Sequence, residues 1–220
     1  MIDSVEILTM KQTTSATLAS MLLAFGAGAQ AAVVYDNGAP DQGGGNEMTA
    51  WIQADDFTLA STTTITEVHF WTVEDAASAG YSGSIEYAFY ADAGGAPSPS
   101  ATFAAGTGLT RVATGNSPFG YTEYYYSFNV APFVATGGTT YWLGLHNGPI
   151  ANDSRAEFYW ETTGANGTTA GMEHILSPAV DGWSDNIQEH AFQLATVPEP
   201  GTFALLALGL AGVGFVRRKR

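Results

Sequence analysis

The chain has no cysteine, which excludes a disulfide framework, a thiol nucleophile and any Cys-ligated zinc site. Positive charge is almost as scarce. Of seven Lys and Arg residues, Lys11 lies near the amino terminus, and Arg217, Arg218, Lys219 and Arg220 close the chain. Only Arg111 and Arg155 stand between them. Residues 32–200 therefore carry 19 acidic and 2 basic side chains, a net of −17. Such a surface repels nucleic acid and anionic lipid headgroups, so no nucleic-acid partner is expected. It suits plain solubility, and it can attract divalent cations. No 12-residue stretch of the middle shows a convincing 3.6-residue period, which argues against helices there. What is abundant is glycine, at 26 residues, and aromatic side chains, at 12%. That mix fits a β-rich domain of the exported kind.

The two ends differ from the middle. Residues 10–31 read MKQTTSATLASMLLAFGAGAQA. Lys11 gives a short positive region, an apolar centre follows, and Ala29-Gln30-Ala31 fits the small-x-small rule for signal peptidase. Residues 1–31 thus read as a secretory signal with cleavage before Ala32. Asp3 and Glu6 suit a leader poorly, so Met10 is the expected start, the alternative being Met1 with a long leading region.

At the other end, residues 201–216 form an apolar run of 16 residues. As a helix this run spans about 24 Å, short of the roughly 30 Å hydrocarbon core of a bilayer. Arg217 and Arg218 are placed to snorkel, and the basic cluster should stay on the cytoplasmic side. A short, glycine-studded helix of this kind is a weak anchor. Upstream, Pro198-Glu199-Pro200 removes N–H donors and keeps the backbone extended, the form that a protease or transpeptidase can grip.

Pro198-Glu199-Pro200, then the apolar run, then Arg217-Arg218-Lys219-Arg220, resembles the PEP-CTERM sorting signal. The resemblance implies a Gram-negative bacterium that makes exopolysaccharide. It implies a membrane-embedded exosortase that recognises the Pro-Glu-Pro region and removes the tail. It also implies an exported protein held briefly at the inner membrane, facing the periplasm, before release to the cell surface or extracellular matrix.

Between the ends, residues 84–90, 124–130 and 140–146 alternate apolar and polar side chains, each with one face expected to be wet. Weaker strand patterns occupy 33–35, 54–59, 65–72, 109–113, 157–161 and 191–196. Turn chemistry separates them: DNGAPDQGGGN, ADAGGAPSPS, TGNSPFG, HNGPIANDS. About nine strands predict one all-β domain over 32–196, an antiparallel, jelly-roll-like β-sandwich, with 197–220 as the sorting signal and transmembrane helix. The run from ADDFTL through ITEVHFW and FYADAGGAP to TYWLGL is similar to a β-sandwich module of unassigned function in other PEP-CTERM proteins.

Catalytic motifs are missing. There is no G-x-S-x-G elbow for a serine nucleophile and no H-E-x-x-H for zinc among His69, His146, His174 and His190. Asp55, Glu86, Glu157, Glu161 and Glu173 could in principle pair for glycoside hydrolysis, but nothing in the sequence selects a pair. No catalysis and no obligatory cofactor are expected. Calcium is the metal that the acidic loops suit, with Asp36, Asp41 and Asp92 as the candidate ligands and Asn37, Asn152 and Asp153 beside them; solvated turns are the commoner use of such residues. Five tryptophans, at 51, 71, 142, 160 and 183, raise carbohydrate binding. Most should be core. Trp183, among the loop residues DGWSDN, is the best candidate for glycan contact. A structural or adhesive surface protein is the expected function, with a lectin-like module, calcium-assisted or not, as the alternative and a polysaccharide hydrolase as the less favoured one. Exopolysaccharide is the partner that both of the first two imply.

Overall fold

A computed structural model describes residues 31–75, 80–164, 169–176 and 182–196. The expected leader, with Ala29, and the expected sorting segment and membrane helix lie outside these residues. Among the described residues no helix is long and apolar enough to cross a membrane.

The described residues form fourteen strands in chain order: β1 (Ala32–Asp36), β2 (Pro40–Glu47), β3 (Trp51–Thr58), β4 (Thr63–Glu74), β5 (Ile85–Ala91), β6 (Ala104–Ala105), β7 (Thr107–Ala113), β8 (Thr122–Ala135), β9 (Thr140–Asn147), β10 (Phe158–Thr163), β11 (Met172–Ile175), β12 (Ser184–Asp185), β13 (Glu189–His190) and β14 (Phe192–Thr196). They form an eight-stranded and a six-stranded sheet. In the larger sheet β4 is central, flanked on one side by β8 and then β7, and on the other by β14 with β1 and by β10 with β2 and β13. The smaller sheet has the order β12-β11-β3-β9-β5-β6. The pairings are antiparallel throughout. All nine strands read from the sequence are present, and the expected antiparallel β-sandwich is the fold.

One core joins the sheets. Phe57, Ile85, Tyr87, Leu143 and Leu145 from the smaller sheet pack in the same cluster as Phe70, Tyr126, Phe128, Phe158, Trp160 and Phe192 from the larger. Period-2 alternation along β8 and β10 sends Tyr126, Phe128, Phe158 and Trp160 inward. In β4 a register shift between Ile65 and Glu67 resets that alternation, so Ile65 and Val68 both reach the core although they are three apart. Each large aromatic or aliphatic side chain fully buried contributes about 1.5–3 kcal/mol, and a core of this size lets a chain without disulfides stand.

Two expectations need correction. Strand β2 (PDQGGGNE) falls inside what the sequence presents as a turn. Its glycines serve close approach: a Cβ on Gly45 would meet Tyr159 Cβ at 2.8 Å and the Trp160 carbonyl oxygen at 3.0 Å, where β2 pairs with β10. Strands β5 and β9 do not have a wet face. Their outward residues Ala88, Tyr90 and Trp142 are buried in a second cluster with Ala54 of β3, covered by Ala101, Phe103, Met172 and Trp183. Gly144 makes room for it, since a Cβ there would lie 2.6 Å from the Tyr90 ring. The segment after β5, through Ala101 and Phe103, and Trp183 just before β12 thus roof the outer face of the smaller sheet.

Candidate functional site

That roof is incomplete, and the gap is a cleft of about 700 Å³ lined by Ile52, Glu86, Tyr90, Phe103, His174 and Trp183, with Pro99, Ile150 and Leu176 at its rim. Ile52, Glu86, Tyr90 and His174 project from β3, β5 and β11 on the outer side of the sheet, His174 lying opposite Ile52 in register. Trp183 enters just before β12. Its indole stands edge-on to Tyr90, with ring centroids 5.2 Å apart at 86°, and close to His174 at 5.5 Å and 67°. Phe103 meets Tyr90 edge-on at 6.2 Å. The Trp183 ring is half-buried, so one part is fixed by packing and the rest is open. Trp183 and His174 also wall a neighbouring cleft of about 470 Å³, closed by Ala96, Pro97, Pro99 and Gly182. The indole is therefore a partition between two adjoining depressions on one face. Glu86 supplies a carboxylate there, and its Oε2 accepts from the Ile150 N–H at 3.0 Å. Volumes of this order belong to small-ligand sites of roughly 300–1,000 Å³.

A second concentration of chemistry is internal. Carboxylate oxygens of Asp55, Asp56 and Glu189, all buried, lie within 4.8 Å of one another, the one such grouping found among the described residues that could hold a metal ion. Asp55 Oδ2 accepts from the His190 backbone N–H at 2.6 Å and lies 3.0 Å from His190 Nδ1, while His190 Nε2 lies 3.1 Å from Asn46 Oδ1. The Tyr35 hydroxyl donates to Asn37 Oδ1 at 2.7 Å, and Asn37 Nδ2 donates to the His190 carbonyl oxygen at 3.0 Å. Burial drives the Asp55 carboxyl well above the usual carboxylate range against the pull of the His190 N–H, with the charge of Asp56 adding to the rise. Burial likewise holds the His190 imidazole down to about 3. Both effects favour the neutral forms of Asp55 and His190. The hydrogen bonds tie β3 to β13, one sheet to the other.

The three calcium candidates are not gathered. Asp36 Oδ1 accepts from the Gly38 N–H at 3.0 Å, and its Oδ2 from Gln193 Nε2 at 2.9 Å. Asp41 Oδ1 accepts from the Gly43 N–H and the Thr162 hydroxyl, both at 2.7 Å. Asp92 accepts from the Gly94 and Gly95 N–H groups and from Trp142 Nε1 at 3.0 Å. Each carboxylate closes its own turn, and Asp92 also satisfies the indole N–H of a fully buried tryptophan. Trp142 and Trp160 are core, while Trp51 and Trp71 are half-buried. Of the histidines, His146 and His190 are buried and hydrogen-bonded to the framework, His146 with Nδ1 and Nε2 each 2.9 Å from a carbonyl oxygen, of Gly148 and Thr49. His69 pairs with Glu67 at 3.2 Å. His174 alone among them lines the cleft.

Sequence reading picked out Trp183 but not its companions Phe103, Tyr90 and His174, which come from separate segments. The buried cluster left one trace: Asp55 sits two residues before Phe57, so a period-2 strand must turn a carboxylate towards the core side.

Residues 196–220 match the family model of the PEP-CTERM protein-sorting motif. No curated protein and no solved structure matches the chain. The matched segment contains Pro198, Glu199 and Pro200, the apolar run, and the cations at 217–220. The motif marks a protein that is exported with a membrane-anchoring signal at its carboxyl end. The chain therefore carries a PEP-CTERM protein-sorting motif and is an exported exosortase substrate whose described domain is an antiparallel β-sandwich.

Proposed function

We propose that the sandwich is a structural or adhesive component of the cell surface or exopolysaccharide matrix, which holds a polysaccharide chain against Trp183 without cleaving it. The observation that carries this reading is the Trp183 indole, fixed edge-on by Tyr90 and His174 and left partly open between two adjoining clefts. A flat aromatic face held rigid loses little entropy on binding, and a sugar ring can pack its C–H face on it while Glu86 and His174 take hydroxyls. Two adjoining depressions suit successive residues of a chain better than a single compact ligand. Among the described residues lining the cleft Glu86 is the one carboxylate, and glycoside cleavage uses two, which supports binding over hydrolysis. Exosortase sorting supports delivery to the place where such a polymer is found.

The test is affinity electrophoresis of the purified chain against the organism's own exopolysaccharide, with a glycan array alongside. Wild-type protein should bind, and Trp183→Ala should weaken binding about 10-fold or more, equivalent to about 1.4 kcal/mol. The far-ultraviolet circular dichroism should not change, since Trp183 lies at the rim rather than in the main core. Absence of wild-type binding at millimolar sugar, or equal affinity in the variant, rules the groove out.

A further inference from the structure

The outer face of the eight-stranded sheet holds an anomaly unrelated to the aromatic cleft. Glu161 of β10 is fully buried, yet neither carboxylate oxygen has a hydrogen-bond partner. Glu123 of β8 is 2% exposed; its Oε1 accepts from Asn116 Nδ2 at 3.0 Å, and its Oε2 has no partner. The two side chains share a face. Glu123 lies opposite Val73 of β4, Val73 opposite Tyr159 of β10, and Glu161 follows two residues after Tyr159. The charge of Glu123, and behind it that of Asp41, acts on Glu161. Three buried acceptor oxygens on one face of the sheet are thus left without a donor.

A single proton bridges two of those oxygens and leaves the third bare, at a cost of about 1–3 kcal/mol for a buried unsatisfied group. Among the described residues the two Arg side chains are committed elsewhere: Arg111 bonds Glu74 at 2.6 Å, and Arg155 pairs with Glu157 at 3.2 Å. One divalent ion can contact all three oxygens at once. The donor set is carboxylate alone, which is the chemistry of hard ions and above all of Ca²⁺. The surrounding domain, with 19 acidic and 2 basic residues over 32–200, raises the local concentration of such ions.

We propose that Glu123 and Glu161 bind a calcium ion that clamps β8 to β10 across the central strand of the larger sheet. The ion replaces the missing donor and removes the mutual repulsion of the two carboxylates. It uses neither the turn carboxylates of Asp36, Asp41 and Asp92 nor the cluster of Asp55, Asp56 and Glu189, although Asp41, bonded to the neighbouring Thr162, adds its charge nearby. Calcium is the occupant because extracellular modules work at roughly 10⁻⁴–10⁻³ M, the range in which free Ca²⁺ can fill a site of so few protein ligands.

Thermal melting of the detergent-solubilised full chain tests this at pH 8, first in EDTA and then with 10 mM CaCl₂. Calcium should raise Tm by about 3–10 °C, as expected for ligand at roughly 10–100 times Kd. Calorimetric titration should count an ion that is lost in Glu161→Gln and retained in Asp56→Asn. Glu123→Gln reads the same loss should Glu161→Gln fail to fold. In EDTA the wild type should lose stability as pH rises from about 4.5 to about 8. Burial, then the charge and hydrogen bond of Glu123, then the charge of Asp41, push the Glu161 carboxyl up to about 8, against an ordinary value of 4.5. The folded state therefore keeps a proton over this range that the unfolded chain has released, and folding weakens until both states have lost it. Calcium should flatten that slope by displacing the proton. Two results overturn the site: no effect of calcium on Tm while Glu161→Gln melts higher than wild type at pH 8, which leaves a shared proton alone; or a calcium response that survives Glu161→Gln and Glu123→Gln and disappears in Asp56→Asn.

Discussion

Arg111→Ala is expected to lower Tm by about 6–12 °C, the largest effect of any single change to the scarce cations of the domain. Arg111 projects from β7, an outer strand of the larger sheet, and reaches Glu74, which is completely buried on the inner side of β4. Its guanidinium donates through Nη2 to Glu74 Oε2 at 2.6 Å and through Nε to the Tyr126 hydroxyl at 2.7 Å. Tyr126 in turn donates to Glu74 Oε1 at 2.6 Å, and the Thr72 hydroxyl to the same oxygen at 2.8 Å. The plane of the guanidinium also lies over the Tyr124 ring, 3.5 Å from its centroid. Removing Arg111 strands a buried carboxylate, which typically costs 3–5 kcal/mol. The two hydroxyls remain, so the lower end applies, about 3 kcal/mol, and for a domain of this size each kcal/mol moves Tm by about 2–4 °C. The same substitution with Glu74→Gln should recover much of the loss, because the uncompensated charge is then gone. Arg111→Lys should recover less than half, since an ammonium offers neither the forked donors nor the flat stacking surface. A Tm for Arg111→Ala within 2 °C of wild type shows that the network is not holding β7 to the core.

How far such features can be read from sequence depends on how local their causes are. The alternation in YYYSFNV and TYWLGLH placed β8 and β9 because one strand's own side chains decide its inward face. The extra burial of Tyr90 and Trp142 was invisible, because it is supplied by Phe103 and Trp183 from other segments. Strand β2 was hidden for the opposite reason. Its glycines signal a turn locally, and only the approach of Tyr159 and the Trp160 carbonyl shows why they are needed in a ladder. Site chemistry follows the same rule. Asp36, Asp41 and Asp92 stand out as acids in turns, and each does what a local reading assigns as its commonest use, closing a turn. In sequence Glu161 stands out only as one of five carboxylates with no partner selected, and Glu123 attracts no notice, since the two lie on strands 38 positions apart and share a face across β4. Trp183 was chosen for its polar, glycine-containing neighbourhood, and the partners that fix its ring come from β5 and β11.

Glu199→Ala, or deletion of Arg217, Arg218, Lys219 and Arg220, is expected to leave full-length protein in the membrane fraction and none of the shortened form outside the cell. The matched motif spans residues 196–220, and its parts divide the work. Proline fixes φ and lacks an N–H donor, so the sequence Pro198-Glu199-Pro200 favours an extended backbone of the kind an enzyme can grip, with Glu199 as the charge expected to be recognised. An alanine there leaves the backbone preference intact and removes the charge, so a loss of cleavage assigns recognition to Glu199 itself. The apolar run of 16 residues would span about 24 Å if helical, less than the roughly 30 Å membrane core, and is expected to be a weak anchor. The terminal cations compensate by fixing orientation, each Lys or Arg near an anionic leaflet contributing about 1 kcal/mol. Deleting all four should therefore misplace the Pro-Glu-Pro segment relative to the bilayer, so that the tail stays on membrane-bound protein. Cell fractionation with an immunoblot against the sandwich separates tailed from shortened chains, and intact mass of the released form locates the cut. Release of an unchanged mature form from both variants excludes recognition through these residues. Because the changes lie outside Ala31–Val197, which is a compact unit by its own contacts, the sandwich should melt as in the wild type. A sorting defect with an unaltered Tm separates the address from the domain that it delivers.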